Sequence, residues 1–446
     1  MKRSILAVTY ILISGTMVFP FARAKESVQG KLTLVDFTRE ALANNPSITS
    51  AWRKWNGMHA RIVQAKAWDD PRVGADFTAK RFVEMAPNSM ADQMFTVEQV
   101  IPISGKNLSR GRVAAADALV AFENFRRQQL DVVNKLKAAY FQFLNSQNQL
   151  AINGRNLTSL QQIATGIRAK YQTGMETVPE ILAAEIEVAK LEQERDDFER
   201  IRTEAQTQLN VLMNRPVTSP IGDLNAENPI ALQFSEKDLT SLLLNFRPEV
   251  RIARAGIDVE KARLQLARRE WIPDPAININ EQRYNGAAQT VSQLGAGVSF
   301  SIPWVNPGKY SSAVHEAEEN LGAANAELEV VKSESLGLLH DQLERIKTTR
   351  HHYELYSGKI LPLAQQAFDT IQLNYETGKS SFADWIATQR SLRDVQAATN
   401  NMLTDYETAV TELEAIVGVE LPAHPSKNLR QKNRELPSGT DWIKTG

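Results

Sequence analysis

The 446-residue chain contains no cysteine. That excludes disulfides, thiolate metal sites, thiol catalysis and a lipid-acceptor cysteine near the start, so packing and hydrogen bonding alone must hold the fold. Excess charge of one sign is missing too. Against 52 acidic residues stand 51 basic ones, a formal net charge of -1, which gives no net attraction for nucleic acid or an anionic surface. After residue 21 no apolar run approaches the roughly 20 residues that span a bilayer as a helix. A Walker loop, a nucleophile elbow, an HExxH pair and a dinucleotide fingerprint are all absent. The chain therefore reads as no enzyme, with no cofactor and no metal site. His351 and His352 form the one close histidine pair, but adjacent helical residues point about 100° apart and do not chelate as i and i+4 would. Met85, Met90 and Met94 read as loop packing rather than soft-metal ligands.

What is present begins with an export signal. Lys2 and Arg3 precede an apolar run from Ile5 to Phe21, and Ala22-Arg23-Ala24 forms a small-x-small cleavage site, so a mature chain from about Lys25 is expected. A composition 43% hydrophobic and 23% charged is that of a folded protein. The chain is then written twice. Thr33-x-x-Asp36 answers Ser235-x-x-Asp238, and AKAWDDP (65–71) answers ARREWIPDP (267–275). Ile101-Pro102 with Gly105-Lys106 answers Ile302-Pro303 with Gly308-Lys309, and KYQTGMETVPEIL (170–182) answers NYETGKSSFADWI (374–386). Ordered landmarks at near-constant offset imply homologous halves, 25–214 and 235–420, with a linker at 215–234 and a polar tail at 421–446.

Within each half the hydrophobic period changes from two to helical. Strands are expected at about 72–82, 94–101, 276–284 and 292–302. Val73, Ala75 and Phe77 alternate with Gly74, Asp76 and Thr78, while Leu294, Ala296, Val298, Phe300 and Ile302 alternate with Gly295, Gly297, Ser299 and Ser301. Helices are expected at about 107–171, 177–214, 309–376 and 380–417. Leu136, Phe143, Leu150, Leu157, Ala164 and Tyr171 stand seven apart, as do Leu339, Ile346, Tyr353, Ile360 and Ala367, which is the spacing of a coiled-coil seam.

Four strands of this length suit a bilayer crossing, since a tilted transmembrane strand needs about 9–11 residues. Open edges are not tolerated in lipid, and known barrels start at about eight strands. The strands must therefore be completed by other copies if they enter a membrane. Three copies give twelve strands, with Asp76, Lys80, Asn278 and Ser299 facing a wet lumen. The alternative is a small soluble sheet packed on helices.

With its two repeats of strand pair and long helices, its I-P-x-x-G-K-like exit from the second strand and its Y-x-x-G turns, the chain resembles the TolC-like outer-membrane efflux proteins. The wording of QVIPISGKNLSRGRVAAADA (99–118) is most similar to their heavy-metal branch, the CzcC- and CusC-like proteins. The resemblance implies a mainly α fold with a transmembrane β-barrel portion. It implies a homotrimer whose twelve-stranded barrel sits in outer-membrane lipid and continues as an α-helical barrel through the periplasm. Its partners would be a periplasmic adaptor and an inner-membrane pump of the resistance-nodulation-division type, with the chain itself a passive duct. The cargo would be heavy-metal cations, or alternatively drugs, detergents or a secreted polypeptide. A soluble periplasmic coiled-coil adaptor is the competing reading of another class.

By the same resemblance the repeated turn is the periplasmic mouth. Tyr375 matches the family's gate tyrosine, Glu180 stands for its aspartate partner, and Asp384 matches an acidic ring residue. Lys379 stands in for the gate arginine, Ser380 occupying that position, and Ala387 replaces a second ring aspartate. Tyr171, Gly174 and Gly378 complete the two tips. The residues alone also support a plainer role: Thr177-x-x-Glu180 and Ser381-x-x-Asp384 fit capping boxes at helix starts, and both tyrosines fit a coiled-coil core.

Overall fold

The computed structural model describes residues 33–78, 92–173, 177–224, 234–285 and 289–421. The export signal, the C-terminal tail, Lys80, Met85, Met90 and Gly174 lie outside the described residues.

Each half opens with two helices outside the expected long helices. The first follows the Thr33-x-x-Asp36 or Ser235-x-x-Asp238 landmark, where the sequence shows an amphipathic run ending at Pro46 or Pro248, and the second has no counterpart in the sequence reading. α1 (Leu34–Asn44) starts at a Thr33–Asp36 capping box; Asn45 ends it and caps α2 (Pro46–Lys66), whose first position is proline. α5 (Glu236–Phe246) and α6 (Pro248–Arg269) repeat the arrangement around Arg247 and Pro248. The break before each proline is forced, because the ring disfavours helical geometry in the preceding residue.

Between the helix pairs run β1 (Arg72–Thr78), β2 (Asp92–Val100), β3 (Ala276–Asn285) and β4 (Thr290–Ser299), one antiparallel sheet in that order. β4 stops at Ser299, short of 302, where Pro303 begins a 3-10 turn. The register assigns the faces. Val73 pairs with Val97, Val97 with Ile279 and Ile279 with Ala296; Ala75 pairs with Phe95, and Ile277 with Val298. Paired residues share a face, so these side chains form one continuous apolar surface across all four strands. Asp76, Thr96, Asn278, Gly297 and Ser299 share the other face. There Asn278 and Asn280 lie over Gly297 and Gly295, where an added Cβ would come within 2.6 and 2.3 Å of their amide oxygens.

A polar knot joins the two halves below the sheet. Asp274 accepts from the Ser104 amide and hydroxyl, both at 2.8 Å, and Arg269 donates to the Ser104 carbonyl at 2.7 Å. Gly105, at φ 71°, turns the chain into the next helix. Its counterpart Gly308 sits instead in the first turn of a helix begun by Pro307, so the repeated Gly-Lys wording serves two different junctions.

The long helices are α3 (Lys106–Gln172), α4 (Val178–Leu212), α7 (Pro307–Leu355), α8 (Leu361–Glu376) and α9 (Phe382–Val417). At 67 residues, α3 extends about 100 Å. α7 and α8 are separated by a π-turn, Tyr356–Ile360, so the second half has no uninterrupted counterpart of α3. The seam moves as a result: Ala367 is exposed, and Phe368 takes its place against the core.

Above the π-turn, α1, α3 and α4 enclose one apolar cluster around Phe37, Leu136, Phe143 and Leu209. α5, α7 and α9 enclose another around Leu243, Leu339, Ile346 and Leu413. α9 ends at Gly418, whose φ is 84° and whose absent Cβ would lie 2.6 Å from the Phe246 carbonyl. Gly418→Ala should therefore cost at least about 1–2 kcal/mol for left-handed backbone before the clash is counted, read as a lower Tm. Asn214→Gly, at the left-handed residue that ends the first half's return helix, should be neutral.

The helical tip as a candidate gate

The tip of the second hairpin is fixed by backbone chemistry. The Gly378 amide donates to the Tyr375 carbonyl at 3.1 Å and the Lys379 amide to the Asn374 carbonyl at 2.7 Å, a Schellman closure that needs left-handed backbone at Gly378, here φ 73°. α9 then starts at a capping box: the Ser381 hydroxyl donates to Asp384 at 2.7 Å and accepts from the Asp384 amide at 3.1 Å. At the first tip, the Thr177 amide and hydroxyl donate to Glu180 at 2.9 and 3.0 Å. The repeated tip wording thus ends one helix and begins the next, and the Glu180 and Asp384 carboxylates both serve as caps.

The two tips also hold each other. Phe382 and Trp385 stack with ring centroids 5.9 Å apart, and Tyr375 lies 6.1 and 6.3 Å from them. Trp385, with 0% exposure, is packed among Leu160, Ile167, Ala184 and Leu191 of the first hairpin. The Lys170 ammonium sits over the Tyr375 ring at 4.7 Å. Trp385→Ala should cost about 3–5 kcal/mol, detectable as proteolytic cleavage of tips that have come apart. Tyr375 is half-buried in this cluster, whereas Tyr171, Lys379, Asp384 and Ala387 are exposed.

One turn deeper, Glu187 of α4 is 1% exposed and accepts from Arg390 of α9 and, at 2.9 Å, from Lys190. Burial alone would push the Glu187 carboxyl up, but hydrogen bonds from Arg390 and Lys190 hold it below the usual carboxylate range. Above it Arg393 faces Glu194 at 3.6 Å. A depressed carboxyl stabilises the packed tip fully above its ordinary 4.5 and loses that contribution as pH falls through its lowered value. Acidification below that window should loosen the tip, and Glu187→Gln should abolish the pH dependence in hydrogen exchange.

Phe382, Trp385, Glu187 and Arg390 were not singled out by sequence. The aromatic pair stands inside the repeated wording, but its partners lie about 200 residues away, and nothing local marks Glu187 as the mate of Arg390. His351 and His352 lie exposed on a helix, and among the described residues no group of three or more histidines and carboxylates could hold a metal.

The sequence model of the family described as Outer membrane efflux protein matches this chain twice, over residues 38–215 and 239–419. The cobalt-zinc-cadmium resistance protein CzcC of Cupriavidus metallidurans is 21% identical over 410 residues, 91% of this chain and 94% of that protein. The outer membrane efflux protein BepC of Brucella suis is 20% identical, over 88% of this chain and 85% of its own length. Among solved structures, the outer-membrane channel CmeC of Campylobacter jejuni shares the fold with a TM-score of 0.74 at 14% identity, over 98% of each chain.

Proposed function

The chain belongs to the outer membrane efflux protein family, and on that basis we propose that three copies join edge to edge as the exit duct of a tripartite system for divalent metal cations. It is an efflux channel of the outer membrane with a large periplasmic portion. The observation that carries the assembly is the sheet: one face carries an apolar band across all four strands, interrupted by the Glu281–Arg283 pair, yet among the described residues β1 and β4 are edges with no partner strand. In lipid each unpaired backbone group costs several kcal/mol, and pairing β4 of one copy with β1 of the next removes both edges. The twofold family match supports two homologous halves, each supplying two strands and one hairpin.

The cargo reading is supported by the relative named for cobalt, zinc and cadmium resistance. A periplasmic adaptor and a resistance-nodulation-division pump supply contact and energy, since this chain has no nucleotide loop. The mouth is lined by Tyr171, Glu180, Tyr375, Lys379 and Asp384, beside the turn at Gly378 and at the matching end of the first hairpin. A deletion strain should grow poorly on cobalt, zinc, cadmium or copper salts and recover with the intact gene. Sensitivity to dyes, bile salts and antibiotics instead would replace metals by amphiphiles as the cargo. At the mouth, Tyr375→Phe with Glu180→Ala should raise single-channel conductance, and unchanged conductance from an intact trimer would reject that latch.

A further inference from the structure

The two hairpins are repeats, yet their ascending helices differ by one residue, and the core positions show where. Lys106 and Lys309, Leu136 and Leu339, and Phe143 and Ile346 correspond at an offset of 203 positions, the last two pairs occupying equivalent places in the two upper clusters. Nearer the tip, Ala164 with Phe368 and Ile167 with Ile371 correspond at 204, all four in the tip cluster. The extra residue enters between Ile346 and Phe368, where the π-turn Tyr356–Ile360 lies. A π-turn closes its hydrogen bond one residue later than an α-turn, so it absorbs a single insertion and returns the helix to register.

The surroundings of the π-turn differ from the helices above and below it. Counted back from the tip along the antiparallel hairpin, it stands level with Ala397–Asn401 of α9. At that level the contact between hairpins is polar: Asn145 donates to Asn401 at 2.9 Å and Gln149 to the Ala397 carbonyl at 3.1 Å. The Ser357, Thr399 and Thr404 hydroxyls each donate to the carbonyl four residues back, as Thr370, Thr388, Thr411 and, on α3, Thr158 and Thr165 also do, so the polar contact and the π-turn, not these bonds, set the level apart. Above this layer Lys137 and Glu414 fasten α3 to α9, and below it the Trp385 cluster and Glu187–Arg390 fasten the tips. The clamp is incompletely satisfied, because Glu187 Oε2, Arg390 Nε and Trp385 Nε1 are buried without hydrogen-bond partners among the described residues. α3 has no break at the corresponding level.

We propose that the π-turn Tyr356–Ile360 is the hinge about which α8 and the adjoining part of α9 swing from the rigid first hairpin when the mouth opens, with Glu187–Arg390 as the clamp that holds them shut. This rests on the reading of the tips as the mouth of a duct.

Deleting Gly358 tests it in the full-length channel, because losing one residue converts the π-turn to continuous α-helix while the tip keeps its register. The deletion variant should assemble and reach the outer membrane like the parent. Deleting Gly154 from α3, which has no π-turn to absorb the loss, should abolish assembly. In planar bilayers Glu187→Gln should raise single-channel conductance severalfold in the parent, and the rise should be lost in the Gly358 deletion. An equal rise in both backgrounds, or a rise in neither, overturns the hinge and clamp. Failure of the Gly358 deletion to assemble overturns the register argument. If the parent itself produces no channel steps, the duct reading fails first.

Discussion

Lys137→Met is expected to destabilise the channel by about 3–5 kcal/mol, because it leaves a buried carboxylate without its cation. Lys137 of α3 reaches Glu414 of α9 at 2.6 Å, so this pair ties the first half to the second. Glu414 is fixed further by the Leu421 amide at 2.9 Å, while the more distant Glu420, at 3.2 Å, is mostly exposed and adds little. Burial pushes the Glu414 carboxyl up even with Lys137 present. Burial opposes the charge of Lys137, but Glu414, with a smaller part from Glu420, outweighs it and holds its amine above the ordinary lysine value. Without the lysine, Glu414 rises further, and a carboxyl raised in the folded state favours folding at low pH. The defect of Lys137→Met should accordingly shrink as pH falls towards the ordinary carboxyl value of 4.5 and reach its full size once pH passes the raised value in the folded state. Lys137→Met with Glu414→Leu should recover most of the loss, since two packed apolar side chains replace a buried pair at little cost. Thermal unfolding of the detergent-solubilised channel across pH reads all three variants; equal Tm values for Lys137→Met and the parent would show that the halves are held elsewhere.

Leu294→Arg should remove the protein from the outer membrane, while Gln293→Arg leaves it there. The two residues are neighbours on β4, and the register turns them to opposite faces: Leu294 pairs with Glu281 and Gln293 with Gln282. Leu294 is 77% exposed on the face shared with Phe95, Ile279 and Val298; Glu281 across the pair is already engaged by Arg283 at 2.8 Å and so does not neutralise an added arginine. An arginine on the lipid face near the bilayer centre costs about 2–4 kcal/mol per copy, and a trimer meets that cost at every seam. On the polar face the same charge meets water. Fractionation and heat-modifiable mobility of the two variants separate the faces, and equal insertion of both would contradict the facing read from the register.

Fold class and family were legible because their signals are periodic or repeated. The alternation around Leu294 to Ile302 and the paired wording of the tips survive in a single sequence without any partner in view. What sequence hid was tertiary. The seam at Ala367 follows a strict heptad, and only the π-turn shows why Phe368 takes over. Gly105 and Gly308 read alike, yet only the first carries left-handed backbone, because Arg269 and Asp274 close around it from the other half. The tip clamp joins residues of the two halves, and the opening helix pairs lack the long heptads that mark α3 and α9. The Glu180 and Asp384 carboxylates read both as gate groups and as caps; the structure places them in caps, and their part in the mouth depends on neighbours from other copies.

The most direct test is the native mass of the complex extracted from outer membranes in mild detergent. Three chains per particle, lost when Leu294→Arg blocks insertion, is the expected result. A single chain, or protein recovered only from the soluble periplasmic fraction, would contradict the closure of β1 and β4 between copies and the duct built on it.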